Sequence, residues 1–303
     1  MIPKIIIAAA NGFMGRHLVN FLKNRYEVVT LTRQPDPQPG VKNLQWDGVN
    51  PGDWVSVLNG AWALVNLAGR SVDCRYHARN RKEILESRLN ATQCLGEALS
   101  RCEHKPAIWL NAASATIYRH SLLDPMTEEQ GEYGHGFSVD VCQQWESAFF
   151  SYRHLPIRQV ALRTAIVLGQ GGGVAVPFRR LVQFGLGGAM AGGQQMFSWI
   201  HSTDFCRAVE FILNNKHIEG PCNISAPYPV TNAQFMQAVS SHLNPFVTIP
   251  TSRFMLEWGA RMIRTETELV LKSRYVIPEK LLSAGFQFEF PDLSTAIPDV
   301  FIK

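Results

Sequence analysis

The six cysteines, at 74, 94, 102, 142, 206 and 222, come no closer than eight residues, so the chain has no CxxC pair for a zinc site or a dithiol redox couple. No stretch approaches the roughly 18 uncharged apolar residues that a membrane-spanning helix needs. The apolar opening, Ile5 to Ala10, is broken by Asn11-Gly12 without a cleavage site, so no secretory leader is expected. Charge is scarce too, at 18% of residues, against roughly 25% in ordinary soluble domains. The 29 basic and 25 acidic side chains leave a net +4, too little for the basic footprint of a nucleic-acid binder. No repeat of roughly 20–50 residues recurs, which excludes a solenoid or propeller.

What is present is apolar bulk. Hydrophobic residues make up 46% of the 303, with 17 Phe, 7 Trp and 7 Tyr, enough to bury a core and exclude global disorder. A chain with such a core needs no disulfide staples, and six unpaired thiols fit a reducing compartment, so a cytoplasmic location is expected.

The continuous apolar run Lys4–Ala9 marks a strand buried on both faces. A helical pattern opens at Gly12, a second strand runs from Tyr26 to Thr32, and three prolines between 35 and 39 force a loop. The rhythm continues with strand Ala61–Leu67, helix Tyr76–Arg101, strand Ala107–Ala112, helix Val139–Tyr152 and strand Ile157–Leu168. Such alternation predicts an α/β fold, a Rossmann-like doubly wound parallel sheet. Beyond 168 the pattern changes: glycine-rich 169–173 and 185–193 flank a helix over Val174–Phe184, and helix Ser202–Asn214 and strand Gly220–Ile224 follow. Asn232 is expected to cap a helix ending at His242. Helices over Arg253–Arg264 and Pro278–Ala284, then an alternating strand over Gly285–Phe290, complete a small α+β lobe. The expected division is a nucleotide-binding domain over 1–168, which also receives elements from about 200–226, and a mainly substrate-binding lobe over 169–303.

The first strand-to-helix turn, Ala8-Ala9-Ala10-Asn11-Gly12-Phe13-Met14-Gly15, stands where a dinucleotide fingerprint has physical meaning. Helix N-terminal amides receive a pyrophosphate, so Ala9, Asn11, Gly12, Phe13 and Met14 are expected at the cofactor. Gly12 admits the phosphates and Gly15 permits tight helix packing, but Ala9 replaces the first glycine, adding a methyl where the turn is tightest. The second strand ends in Leu31-Thr32-Arg33, with no carboxylate before Asp36. A guanidinium suits a 2′-phosphate and an acid suits a free 2′-hydroxyl, so Arg33 points to NADP(H) rather than NAD. The 169–173 cluster lacks the GK[ST] ending of a P-loop and is expected as a flexible loop beside the substrate cleft. Arg70, Arg75, His77, Arg79, Arg81 and Lys82 crowd one helix start, either as a receiver of substrate phosphate or as a solvated face. His201 stands to polarise a substrate or to cap the helix after it.

Together with Asn66-Leu67-Ala68-Gly69, these motifs resemble the extended and atypical short-chain dehydrogenase/reductases. Ser114-Ala115-Thr116-Ile117-Tyr118 is similar to a Ser-Ala-Thr-Val-Tyr segment of nucleotide-sugar epimerases. Arg163 to Gly169, Gly185-Leu186-Gly187-Gly188, Trp199-Ile200-His201 and the tail Ile277–Phe286 resemble the "epimerase family" proteins of bacteria and mammals, which carry a C-terminal domain of unknown function. The resemblance spans essentially the whole chain. It implies NADP(H) as cofactor, Leu67, Ala68, Gly69 and Arg88 among its contacts, and a small polar substrate, nucleotide-linked or not. No nucleic acid, membrane or metal enters that expectation.

Catalytic members of that family use Ser and a YxxxK pair, helped by an Asn on the preceding long helix. Ser114 matches the serine, but no tyrosine in this chain has lysine four residues on. Alignment on Glu146 puts Ser138 at the tyrosine position and Cys142 at the lysine position, and Arg88 falls where the Asn would be. Loss of a positioned acid/base costs about 10²–10⁴ in rate. Two functions therefore compete: an oxidoreductase or nucleotide-sugar epimerase leaning on Ser114, with Tyr118, Cys142 or Ser138 as substitute acid or base, and a weakly catalytic NADP(H) sensor or scaffold.

Overall fold

The computed structural model describes residues 2–36, 38–252, 254–256 and 271–302. Seven parallel strands make the main sheet. In chain order they are β1 (Lys4–Ala8), β2 (Glu27–Thr32), β3 (Val41–Gln45), β4 (Ala63–Asn66), β5 (Ile108–Ser114), β6 (Arg158–Thr164) and, later, β10 (Gly220–Ile224). Their spatial order is β10-β6-β5-β4-β1-β2-β3, so the strand order reverses at β1 and β4, where doubly wound sheets open a ligand crevice. Ile5 pairs with Val28 on one side and Ala63 on the other.

Alternation along β1 sorts its side chains between two cores. Ile5 and Ile7 join Leu18, Val19 and Leu22 of α1 (Phe13–Leu22) and Phe205, Val209 and Ile212 of α5 (Ser202–Asn214). Ile6 and Ala8 face Leu95 and Leu99 of α2 (Ala78–Arg101) and Phe149 of α3 (Phe137–Phe150). At roughly 1.5–3 kcal/mol per buried large apolar side chain, these two faces dominate the fold's stabilisation.

The expected strand Ile157–Leu168 is two strands. After β6 the chain steps out at Ala165, and β7 (Ile166–Leu168) pairs with β9 (Trp199–His201) outside the main sheet. A third core holds Phe178 of α4 (Ala175–Gln183), Phe235 and Val239 of α6 (Asn232–Leu243), and Ile297 and Val300 of a last helix, α8 (Leu293–Val300). The short β8 (Met196–Phe197) and β11 (Val230–Thr231) form an antiparallel pair at its edge.

Three details depart from the sequence reading. Strand β3 follows the proline-rich loop, in a stretch to which the sequence reading assigned no element. The cap of α6 is Thr231, whose hydroxyl accepts the Gln234 N–H in a capping box, while the Asn232 side chain accepts the Met190 N–H at 2.8 Å. Residues 285–290 follow the short helix α7 (Glu279–Ser283) but form no strand. The buried Asp204 carboxylate accepts the N–H groups of Glu289 and Phe290 at 2.9 and 2.8 Å in place of a neighbouring strand. The helix expected over Arg253–Arg264 lies largely outside the described residues.

Candidate nucleotide-binding site

The turn after β1 is shaped by close backbone approach. A Cβ on Gly15 would stand 2.5 Å from the Ala10 carbonyl oxygen, so only glycine lets α1 settle on the strand end. Ala9 takes φ +59°, the left-handed conformation that a glycine would adopt without strain. Gly12 precedes the helix, and the nearest atom to a Cβ built on it is the Ala9 oxygen at 3.6 Å. The N–H groups of Phe13, Met14 and Gly15 have no intrahelical acceptor and no side-chain cap. Amides so placed suit a pyrophosphate.

Asn11 is the brace of this turn. Its Nδ2 donates to the Gln34 carbonyl oxygen at 2.5 Å, tying the turn to the exposed loop that carries Arg33. Phe13 turns its ring to the 169–173 loop: a Cβ on Gly172 would come within 2.8 Å of that ring, and one on Gly173 within 3.0 Å. At Gly172 and Gly173 the absence of a side chain lets the loop lie against Phe13.

The end of β4 is set by two buried asparagines, Asn66 of the quoted motif and Asn111, which the sequence reading did not single out. Asn66 Nδ2 donates to Asn111 Oδ1 at 2.7 Å, and Asn66 Oδ1 accepts the Ala68 N–H at 3.0 Å, which shapes the Leu67-Ala68-Gly69 turn. An amide within the apolar run of β5, beside the one that ends β4, was the available signal. Arg88 crosses behind that turn from α2. Its guanidinium lies 3.3 Å from where a Gly69 Cβ would be and 5.1 Å from the centre of the Trp145 ring. Burial pulls its pKa below the ordinary arginine value.

The catalytic candidates divide. Ser114, half-buried at the end of β5, donates to Thr116 Oγ1 at 3.0 Å and stays beside the crevice. Ser138 is half-buried in the first turn of α3. Tyr118 lies sealed in the core. It is 0% exposed, its hydroxyl donates to Asn223 Oδ1 at 2.8 Å and accepts from Arg163 at 2.9 Å, and burial pushes its pKa up to about 12 despite that guanidinium. Cys142 is buried too. It packs among Ala115, Ile117 and Tyr118, and burial pushes the thiol up to about 11, although Arg88 pulls the other way.

His201 is a buried cap. Its Nδ1 accepts the Thr203 N–H at 3.2 Å, so the proton sits on Nε2, which meets Asp299 at 3.0 Å. The basic cluster at the start of α2 is partly neutralised. Arg70 and Arg79 both pair with Glu83, Lys82 lies 3.7 Å from Glu86, and Arg81 donates to the Tyr76 carbonyl oxygen. No group of His, Cys, Asp or Glu suited to a metal ion occurs among the described residues, and no described helix is long and apolar enough to cross a membrane.

The geometry has the parts a dinucleotide requires: an amide-lined turn without side-chain cover, a cation beyond β2, and a guanidinium behind the β4 turn. Comparison with known proteins agrees. Residues 251–300 match a domain of unknown function, DUF1731. The chain is 31% identical to epimerase family protein SDR39U1 of Bos taurus over 311 residues, which cover 98% of this chain and 99% of that one. It is 29% identical to epimerase family protein SH2119 of Staphylococcus haemolyticus, with 98% of each chain covered. The crystal structure of human SDR39U1 (isoform 2) with NADPH superposes with a TM-score of 0.86 at 30% identity, over 98% of both chains. With the NAD dependent epimerase/dehydratase model matching residues 5–225, well over half its length, this chain belongs to that family.

Proposed function

We propose that this chain binds NADP(H) along the carboxyl edge of the sheet, with the pyrophosphate at the Ala9–Gly15 turn and the 2′-phosphate at Arg33. The observation that carries the reading is the exposed Arg33 at the end of β2, in a segment without a carboxylate, braced by Asn11 against the phosphate turn. The human relative crystallised with NADPH supports it. Fluorescence titration of NADPH and NADH is the test: wild type should favour NADPH by about ten-fold or more, the worth of one charge-assisted contact. Arg33→Ala should erase the preference. Equal affinities in wild type overturn the reading.

The reaction class that fits is oxidation–reduction or epimerisation of a small polar substrate, with Ser114 polarising its carbonyl. Ser138 and Cys142 at the tyrosine and lysine positions favour a second reading, a nucleotide-sensing protein with little turnover. NADPH oxidation across ketone and nucleotide-sugar panels separates them. Turnover well below the median enzyme value of about 10 s⁻¹, and lower still in Ser114→Ala, is expected of the first; tight binding with no turnover supports the second.

A further inference from the structure

The loop that leaves β7 offers the rest of the protein a single handle. In Gly169-Gln170-Gly171-Gly172-Gly173 the one side chain is Gln170. Gly171 and Gly173 take φ +74° and +59°, a path that glycine follows without strain but that costs it much conformational entropy to hold. The path is nonetheless tightly packed. A Cβ on Gly169 would meet both the Ser202 side chain at the start of α5 and the Phe13 ring, on which Gly172 and Gly173 also close. Phe13 opens α1, and its N–H is among the amides left for a pyrophosphate.

Gln170 reaches in the other direction. Its Nε2 donates to the Asp299 carbonyl oxygen at 2.9 Å and to Asp299 Oδ2 at 3.4 Å. Asp299 stands in the last turn of α8, where backbone carbonyls have no intrahelical donor, so the loop amide caps the helix. Asp299 is itself fixed from the core side. Its Oδ2 meets Nε2 of the buried His201 at 3.0 Å, and the His201 ring lies 3.8 Å from that of Phe290. One edge of the loop therefore rests on the phosphate turn, and its only side chain is held within 251–300, the domain of unknown function.

We infer that Gln170 is a positioning residue that ties the glycine loop to the C-terminal helix and so holds it against Phe13, which makes residues 251–300 part of what retains the nucleotide. The inference rests on the NADP(H) reading above. A loop with one side-chain anchor has one point of failure. With the Gln170 amide removed, the glycines regain their freedom and the loop leaves the Phe13 ring. The wall beside the free amides then opens, and a bound nucleotide departs faster.

The test joins a release rate to a measure of the loop itself. Protein loaded with NADPH is chased with excess NADP+, and release is read from the loss of NADPH fluorescence. Wild type is compared with Gln170→Ala and with Gln170→Glu, which keeps the size of the side chain but has no donor at neutral pH. Amide hydrogen exchange over 169–174 is measured in the nucleotide-free proteins. Both variants should release NADPH about three-fold faster or more, with quicker exchange over 169–174. Their melting temperatures should stay within about 2 °C of wild type, because Gln170 is exposed. Faster release with unchanged exchange in the free protein would mean that Gln170 touches the ligand itself, and overturns the inference. Release at the wild-type rate in both variants overturns it too. If wild type binds no NADPH, the NADP(H) reading falls and the retention role with it, while the exchange data still decide whether Gln170 anchors the loop.

Discussion

Neighbouring residues of α3, Trp145 and Glu146, receive two arginines from opposite sides, and the two have opposite surroundings. Arg163 arrives from β6, 1% exposed. It grips both oxygens of Glu146 at 2.8 Å and adds the hydroxyls of Tyr118 and Tyr133 at 2.9 Å. Burial works against its charge, but Glu146 and Tyr118 outweigh that and hold its pKa above the ordinary arginine range. Arg88 arrives from α2 and rests on the Trp145 ring with a single hydrogen bond. All three guanidinium nitrogens of Arg163 are held by the protein's own side chains, whereas Arg88, half-buried, has one backbone partner.

The sharpest way to break this contrast is to strand the closed arginine. Glu146→Ala leaves the Arg163 charge buried and unpaired, and should lower unfolding free energy by about 3–5 kcal/mol in urea titrations. A loss below about 1 kcal/mol would mean that the cluster is solvated and the contrast false. Tyr118→Phe is milder. It removes the donor to Asn223 and the acceptor for Arg163, and should cost about 1–3 kcal/mol with NADPH affinity unchanged. A drop in NADPH affinity without loss of stability would return Tyr118 to the binding site.

The smallest effect belongs to His201, a buried group that is satisfied while neutral. Burial lowers its pKa, and Asp299 only partly restores it. The unfolded chain therefore takes up a proton before the folded one does. The stability this residue contributes is complete above the ordinary histidine pKa of about 6.5 and is lost as the pH falls toward the lowered folded value. Melting temperatures from pH 8 to pH 5 should fall more steeply in wild type than in His201→Asn, which keeps a side-chain oxygen for the cap. Parallel curves would remove His201 as the titrating group.

The strand–helix alternation was legible because strands buried on both faces are written as unbroken apolar runs, and Ser202–Asn214 and Gly220–Ile224 stand where the pattern put them. The edge strand β3 was hidden because Val41-Lys42-Asn43-Leu44-Gln45 is half polar, as one exposed margin requires. The alternating Phe286, Phe288 and Phe290 looked like a strand, but the Phe286 N–H returns to the Leu281 carbonyl oxygen and the N–H groups of Glu289 and Phe290 go to a side chain, Asp204, which no local pattern can announce. Helix α8 escaped notice because it contains Pro298. At the site, the missing glycine foretold the φ of Ala9, since only backbone geometry was involved. The surroundings of Tyr118 were invisible: its hydroxyl's partners lie 45 and 105 residues away, beyond the reach of any local pattern.

The tail has a consequence for how the chain is made. Leu281 and Phe286 plug the core between the sheet and its α1 and α5 face, and Leu293, Ile297, Val300 and Phe301 fill the lobe. Asp204 and His201 both wait for partners from 289–299. During synthesis the strands and helices that form the crevice emerge long before the segment that seals them. The growing protein therefore holds open apolar seams until residues 281–301 have left the ribosome, so that the nucleotide domain is completed by a segment read well after its own strands.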